Sequence, residues 1–314
     1  MADNILYIPN LVPDSFVEKS PTELPQYLSK VLGDYRYWET IQPWDSHIPY
    51  FKKRQKSDTD WFQFESNFDP IGVNLLNCDG EVVIGLNLVN KRSNPYLPGY
   101  FVYEAGISYA TVPEGYYVLQ VEPATPGTST LIGEPIHVKE KHEGTLLFEY
   151  RNSRFHEDVL FETGITFSFR VEGSLGKLLP GSKDQLYEDQ KLNQTVLSSK
   201  PYNTWPLVIG GTYGVPDWVV EKLNYIFSCD EVRIDGKYYA KESDAKLEFN
   251  EEEQYPMRGV KITLREEIKR SSRAFSPTLD TNKRLIVVHN INSQAFGDLS
   301  NNAGNNIVVI TDLE

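Results

Sequence analysis

Histidine is the side chain that most often serves as an acid–base group or a metal ligand, and the chain has five of them. They are His47, His137, His142, His156 and His289. None stands at the HxH or HExxH spacing that aims two imidazoles at one metal ion. In His156-Glu157-Asp158, neighbouring side chains on a strand would point to opposite faces and would not chelate together. The sequence therefore predicts no metal site and no cofactor.

Motifs for nucleophilic or phosphate chemistry are present only as fragments. GISYA at 106–110 has Ala where the GxSxG elbow needs its last Gly, and it lies in a strand pattern. GGTYG at 210–214 precedes a predicted helix and its amides could hold an anion, but it lacks the Lys and Ser/Thr of a P-loop. Cys78 and Cys229 lack the flanking residues of a cysteine hydrolase, so we expect two free thiols.

Carboxylates are abundant enough that a catalytic pair has to be considered. The best placed is Glu172 in FRVEG, at the end of a strand, where the acid of a glycoside hydrolase could sit. The favoured interpretation is a structural charge that contacts Arg170 or neighbouring backbone. The acidic run at 251–253 is expected in a hairpin loop and lacks the DxDxDG spacing of a calcium site. We therefore predict no catalytic residue, and a protein that is not an enzyme.

Net charge limits the classes of partner. The chain has 31 Lys and Arg against 44 Asp and Glu, a formal charge of −13, which disfavours binding to nucleic acid. Lys52, Lys53, Arg54 and Lys56 form a basic exception that we expect in a solvated loop. There is no 18-residue apolar stretch and no basic start followed by an apolar run, so neither a membrane span nor a Sec-type signal peptide is expected.

Hydrophobic periodicity predicts a mainly β protein. From residue 61 onward, alternating segments of five to eight residues are separated by turn signals such as CDG at 78–80 and PEG at 113–115. This pattern is typical of an antiparallel sandwich or barrel, and we assign a β-sandwich domain to 61–176. The polar stretch 177–199 lacks strand alternation and is predicted to be a linker.

A smaller α+β domain is expected at 200–270. Its one helix is predicted over 217–227, where apolar residues recur at helical spacing behind Pro216 and Asp217. Residues 1–60 are predicted to form an extended N-terminal arm, packed on a partner or on the first domain. The arm carries a short helix capped by Ser20 or Thr22 and clustered aromatics at 35–44. Residues 271–314 are expected to be a C-terminal strand pair or arm.

Several segments, taken together in this order, resemble proteins of phages. They include DTDWFQFESNFDPIGVNLLNCDG at 58–80, GEPIHVKEKHEGTLLFEYRN at 133–152 and LIGGTYGVPDWVVEKLNYIFSCDEVRIDGKYY at 207–239. They are similar to tail-cluster proteins of phages and prophages of Bacteroides- and Flavobacterium-type hosts, over roughly 35–270. The resemblance implies a structural protein of the tail tip or baseplate, similar in role to a distal tail protein. It also implies partners among the other tail proteins and copies of itself.

The expected function is therefore that of a virion structural protein, folded in the host cytoplasm and forming part of a symmetric ring through arm and loop contacts. An abundance of Tyr, Trp and Phe suits such interfaces. One alternative is a glycan-binding β-sandwich module, in which aromatic platforms stack on a host-surface sugar. A further alternative is a β-sandwich glycoside hydrolase that uses Glu172.

Overall fold

The computed structural model describes eleven stretches of the chain. They are residues 6–20, 22–28, 50–67, 71–95, 97–123, 130–152, 159–188, 194–211, 214–241, 247–250 and 257–266. All of them belong to one compact unit, Met1–Glu267. The predicted C-terminal element at 271–314 and the aromatic cluster at 35–44 lie outside these stretches.

The described residues are mainly β, as predicted, with two short helices. In chain order the strands are β1 (Leu6–Tyr7), β2 (Phe16–Lys19), β3 (Lys52–Gln55), β4 (Thr59–Ser66), β5 (Ile71–Leu76), β6 (Val82–Leu86), β7 (Leu88–Ser93), β8 (Phe101–Ser108), β9 (Gly115–Pro123), β10 (Thr130–Gly133), β11 (Ile136–Lys139), β12 (Thr145–Arg151), β13 (Phe167–Leu175), β14 (Leu179–Glu188), β15 (Gln194–Ile209), β16 (Glu231–Ile234), β17 (Lys237–Lys241), β18 (Glu248–Asn250) and β19 (Gly259–Glu266). The helices are α1 (Leu24–Leu28) and α2 (Asp217–Ile226).

Two sheets form the sandwich-like part of the fold. The first has the order β1-β4-β8-β7, and the second has the order β2-β10-β9-β11-β3, with β5 and β6 extending from β9. Every pairing is antiparallel except that of β3 with β11, which is parallel. Side chains of both sheets share one core, and the ring of Phe16 on β2 meets the edge of Phe64 on β4 at a centroid distance of 6.4 Å.

The third sheet closes on itself. Its order is β14-β15-β13-β12-β16-β17-β19-β18, and β15 also pairs with β19, so six of its strands form a ring. The predicted helix is confirmed as α2, with Val219, Leu223 and Ile226 at 0–1% exposure in the shared core. Its flanking Phe227 meets Phe148 of β12 at a centroid distance of 6.0 Å, so the helix packs on this sheet.

The third sheet also corrects the expected domain organisation. Its strands β12 and β13 lie in the stretch assigned to the sandwich domain, whereas the other strands follow residue 177. The segment 177–199, expected as a linker, forms β14 and the start of β15, which pair as a long hairpin. Alternation is missing there because both faces of the hairpin are exposed, so burial selects neither face for apolar residues.

The apolar segment GYFVYEAGISYATV at 99–112 is long enough for two strands. It contains the single strand β8, followed by a 3-10 turn at Tyr109–Thr111. Tyr109 and Val112 are fully buried in that turn. Their apolar pattern therefore reports core packing and not a second strand.

The described part of the predicted arm packs on the chain's own sheets. Strand β1 pairs with β4 and β2 pairs with β10, while Leu11 and Val12 between them are buried in the core. Ser20, one of the two predicted caps, precedes the short helix, and its backbone N–H and hydroxyl both donate to Glu23 Oε2, at 3.1 and 2.8 Å.

Candidate functional site

The basic segment 52–56 is largely buried, which overturns the expectation of a solvated loop. Because β3 alternates, Lys52 and Arg54 point into the protein at 0% and 1% exposure. Each meets a buried acid, Lys52 with Asp14 and Arg54 with Asp60. The sequence contained a signal for this burial. The basic residues at 52 and 54 are two positions apart, as are the acidic residues at 58 and 60, and this spacing places both side chains of each pair on the same face of a strand.

Asp60 is the centre of one buried polar cluster. Besides the guanidinium of Arg54, its carboxylate accepts hydrogen bonds from the hydroxyl of Tyr109 at 2.9 Å and from Ser168 Oγ at 2.6 Å. Burial, followed by the Asp60 charge, raises the pKa of Tyr109 well above its usual range, so the phenol keeps its proton and acts as a donor. Both oxygens of Asp60 are therefore occupied, and the cluster joins β3, β4 and β13.

Asp58, which directly precedes β4, forms a second link to the closed sheet. Arg170 of β13 donates from Nε and Nη2 to its two oxygens, both at 2.7 Å, and the backbone N–H of Gln55 donates at 2.8 Å. A two-pronged pair of this kind fixes geometry as well as charge. Arg170 is therefore committed to Asp58 and is not the partner expected for Glu172.

Glu172 lies instead in a half-exposed cluster of its own. Its Oε2 accepts a hydrogen bond from the hydroxyl of Tyr50 at 2.6 Å, and its Oε1 lies 3.2 Å from Nζ of Lys53. Burial, followed by the Glu172 charge, raises the pKa of Tyr50 well above its usual range. The side chain thus accepts a hydrogen bond from a phenol and pairs with an ammonium, an arrangement that suits a structural anchor.

Two histidines lie beside this cluster. The ring of His137 stacks on Tyr116 at a centroid distance of 4.2 Å, and Nε2 of His142 is 3.0 Å from the carbonyl oxygen of His137. Burial, with the nearby Lys139 and Lys53, lowers the pKa of His137 to about 3, and burial also lowers the pKa of His142. Both imidazoles are neutral at pH 7. Their spacing in the sequence did not predict that these two rings would be close, because the turn after β11 brings them together.

The remaining sequence candidates are placed as follows. Gly210 N–H donates to the Glu172 carbonyl at 2.9 Å and Gly214 N–H donates to the Gly210 carbonyl at 2.6 Å, so these two amides of the 210–214 turn are used internally. Cys78 and Cys229 are free thiols. His47, His156-Glu157-Asp158, His289 and the acidic run 251–253 lie outside the described residues. Within the described stretches, no three His, Cys, Asp or Glu side chains are grouped as metal ligands.

The hairpin of β14 and β15 is the most exposed apolar feature of the described residues. β14 pairs with β15 only, and the pairing of β15 with β19 begins at Thr204, so residues 179–188 and 194–203 project as a two-stranded ribbon. Ten residues of strand correspond to about 33 Å. Five apolar side chains on the ribbon keep 52–66% of their surface exposed: Leu179, Leu186, Tyr187, Val196 and Leu197.

The charge of this ribbon differs from that of the whole chain. Residues 179–204 contain three basic and three acidic side chains, whereas the chain carries −13. A two-stranded ribbon is marginally stable in water unless another surface covers it. Exposed apolar residues grouped in this way are typical of an interaction surface.

Comparisons of this chain with protein-family models, with curated proteins and with solved structures found no match. No helix in the described stretches is long and apolar enough to cross a membrane.

Proposed function

We propose that this protein is a structural component of a phage tail tip or baseplate, where it forms part of a symmetric ring with copies of itself and contacts other tail proteins. The observation that carries the proposal is the uncovered β14–β15 hairpin with its exposed apolar side chains. The phage setting is supported by the sequence resemblance.

The energetics suit assembly on a template. Burying the exposed half of one such side chain contributes about 1 kcal/mol, so five contribute on the order of 5 kcal/mol. A binding free energy of about 4 kcal/mol corresponds to a Kd of about 1 mM. One hairpin contact is therefore weak. A closed ring is more stable than an isolated pair, because every copy in the ring takes part in two such contacts. Free protein is expected to be monomeric at low concentration.

The sugar-platform alternative receives less support from the described residues. Trp61, Trp205 and Trp218 are each partly buried against the core. The ring of Trp61 lies so close to Gly106 that an added Cβ would stand 3.0 Å from it. The large exposed aromatics in the described stretches are Tyr and Phe, without Trp.

The test uses paired lysine substitutions on the hairpin. Leu186→Lys with Leu197→Lys places two charges on the apolar ribbon, and both positions are exposed, so the fold should tolerate them. Val82→Lys is the matched control, because Val82 is 56% exposed on β6. Copies per particle are counted by quantitative mass spectrometry of virions purified from the host that carries this gene.

We expect the hairpin variant to be incorporated at least tenfold less than wild type, and the control to be incorporated normally. Equal incorporation of both variants would show that the hairpin is not the assembly surface. Absence of the wild-type protein from purified particles would refute the structural role altogether. Deletion of residues 1–34 is a poorer test, because it also removes the buried Leu11 and Val12 from the chain's own core.

A further inference from the structure

Three ionisable residues lie where the N-terminal segment joins the second sheet. Asp14 precedes β2, Lys52 opens β3, and Glu134 lies between β10 and β11. The backbone brings them together, since Glu134 N–H donates to the carbonyl of Ser15 at 3.1 Å and Lys52 N–H donates to the carbonyl of Pro135 at 2.8 Å. The side chains of Lys52 and Asp14 are in direct contact, and both have 0% exposure.

This contact differs from the other buried ion pairs of the protein. Neither oxygen of Asp14 and no proton of Lys52 Nζ has a hydrogen-bond partner in the described structure. By contrast, the Arg170–Asp58 pair makes two charge-assisted bonds and accepts a backbone N–H as well. A buried ion pair without supporting hydrogen bonds does not recover the cost of removing both charges from water. A neutral linkage between the same two side chains would remove that cost.

The protonation states suit such a linkage. Burial, followed by the nearby Arg54 charge, lowers the pKa of Lys52 well below its usual range, which favours a neutral, nucleophilic amine. Burial raises the pKa of Glu134, against the opposing effect of Lys52, which makes this carboxylate a better proton acceptor than an exposed glutamate. The backbone bond from Lys52 N–H to the carbonyl of Pro135 brings the adjacent Glu134 to the strand that carries the nucleophile.

We propose that Lys52 and Asp14 form an intramolecular isopeptide bond, with Glu134 as the proton-transfer residue. The Nζ lone pair attacks Cγ of the protonated Asp14 carboxyl group. Glu134 accepts a proton from the nitrogen and returns it to the departing hydroxyl. The Nζ–Cγ bond forms, the Cγ–OH bond breaks, and one water leaves, so the reaction needs no oxidant, reductant or cofactor.

The bond would fasten the N-terminal segment to the body of the protein. Residues 14 and 52 would become covalently joined, which restricts the unfolded chain in the way that a disulfide does. The chain has only two cysteines, and both are free thiols, so this link would supply a covalent fastening that does not depend on oxidising conditions. The inference does not depend on the proposed virion role.

The test is the mass of the purified full-length protein under denaturing conditions. We expect wild type to be lighter than its sequence mass by one water, about 18 Da. Trypsin should then fail to cleave after Lys52 and should yield peptide 1–19 joined to peptide 37–53. Asp14→Ala and Lys52→Arg should each have the full sequence mass. Glu134→Gln should reduce the linked fraction at least tenfold while its circular dichroism stays that of wild type.

Two results would overturn the proposal. One is wild-type protein of full mass after folding and prolonged incubation at neutral pH, a result that needs no variant to fold. The other is a mass deficit without the joined peptide, which would indicate dehydration elsewhere. An unchanged linked fraction in Glu134→Gln would overturn the proton-transfer role of Glu134 and leave the bond itself supported.

Discussion

Lys222 offers a sharp test of how the N-terminal segment is held. This lysine lies on α2 with 8% exposure, and its ammonium donates to the carbonyl oxygens of Asn10 and Val12 at 2.6 and 2.7 Å. Lys222→Met keeps the length and apolar character of the stem and removes the two donors. Both carbonyls would then lose a charge-assisted partner in a buried setting.

The expected magnitude follows from two opposing terms. A hydrogen bond to a charged group contributes about 1.5–3 kcal/mol, so two contribute roughly 3–6 kcal/mol. The variant no longer has to bury an ammonium, which returns part of that free energy. We expect a net loss of about 2–4 kcal/mol in the free energy of unfolding. Asn224→Met, on the exposed face of the same helix, is the control and should change stability by less than about 0.5 kcal/mol.

Urea unfolding followed by tryptophan fluorescence measures the loss, and hydrogen exchange locates it. Amide protons of residues 6–20 should exchange faster in Lys222→Met than in the control, because this segment loses its anchor. Unfolding midpoints that agree between Lys222→Met and Asn224→Met would refute the reasoning. Faster exchange spread evenly over the molecule would show that the lysine does not act on this segment.

Three further predictions concern the core, the histidines and Glu172. Leu223→Ala should lower the free energy of unfolding by about 2–5 kcal/mol, because Leu223 has 0% exposure, and an unchanged melting temperature would contradict the packing of α2. His137 binds its proton near pH 6.5 when unfolded but only near pH 3 when folded, so stability should fall as pH falls through this range. At pH 5 the loss should be about 2 kcal/mol in urea titrations and should be smaller in His137→Gln. Glu172→Gln should lose only the partly exposed contact with Lys53 and should lower the free energy of unfolding by at most about 1 kcal/mol, as measured by thermal melting. A polysaccharide-cleaving activity that is abolished by this substitution would establish the hydrolase alternative.

Local sequence determined the elements whose pattern and turn chemistry agree. CDG at 78–80 turns β5 into β6, where Gly80 has φ of +78° and Asn77 Oδ1 accepts hydrogen bonds from the two N–H groups of Asp79 and Glu81. Asp235 and Gly236 turn β16 into β17 with φ of +47° and +81°. These features depend on a few adjacent residues, which is why the sequence reveals them.

Helix α2 could be predicted from the sequence in the same way, because its apolar stripe and Pro216 at its start are both local signals. Strand alternation likewise marked segments with one buried and one exposed face, such as β12, although it missed β3, which was expected to be a solvated loop. It failed for β14 and the first part of β15, where both faces of the ribbon are exposed and no face is selected for apolar residues. A polar stretch of this kind has the same composition whether it is a linker or a projecting hairpin.

The tertiary structure alone decided which charged side chains pair with each other. Lys52 and Arg54 are buried because Asp14 and Asp60 pair with them from other segments of the chain, and the basic run itself does not indicate which acids these are. Arg170 and Glu172 share one face of β13, yet Arg170 pairs with Asp58 because other segments of the chain supply the partners of both residues. A sequence specifies local conformation through turns, caps and periodicity, whereas the pairing of distant strands depends on the packing of the whole chain.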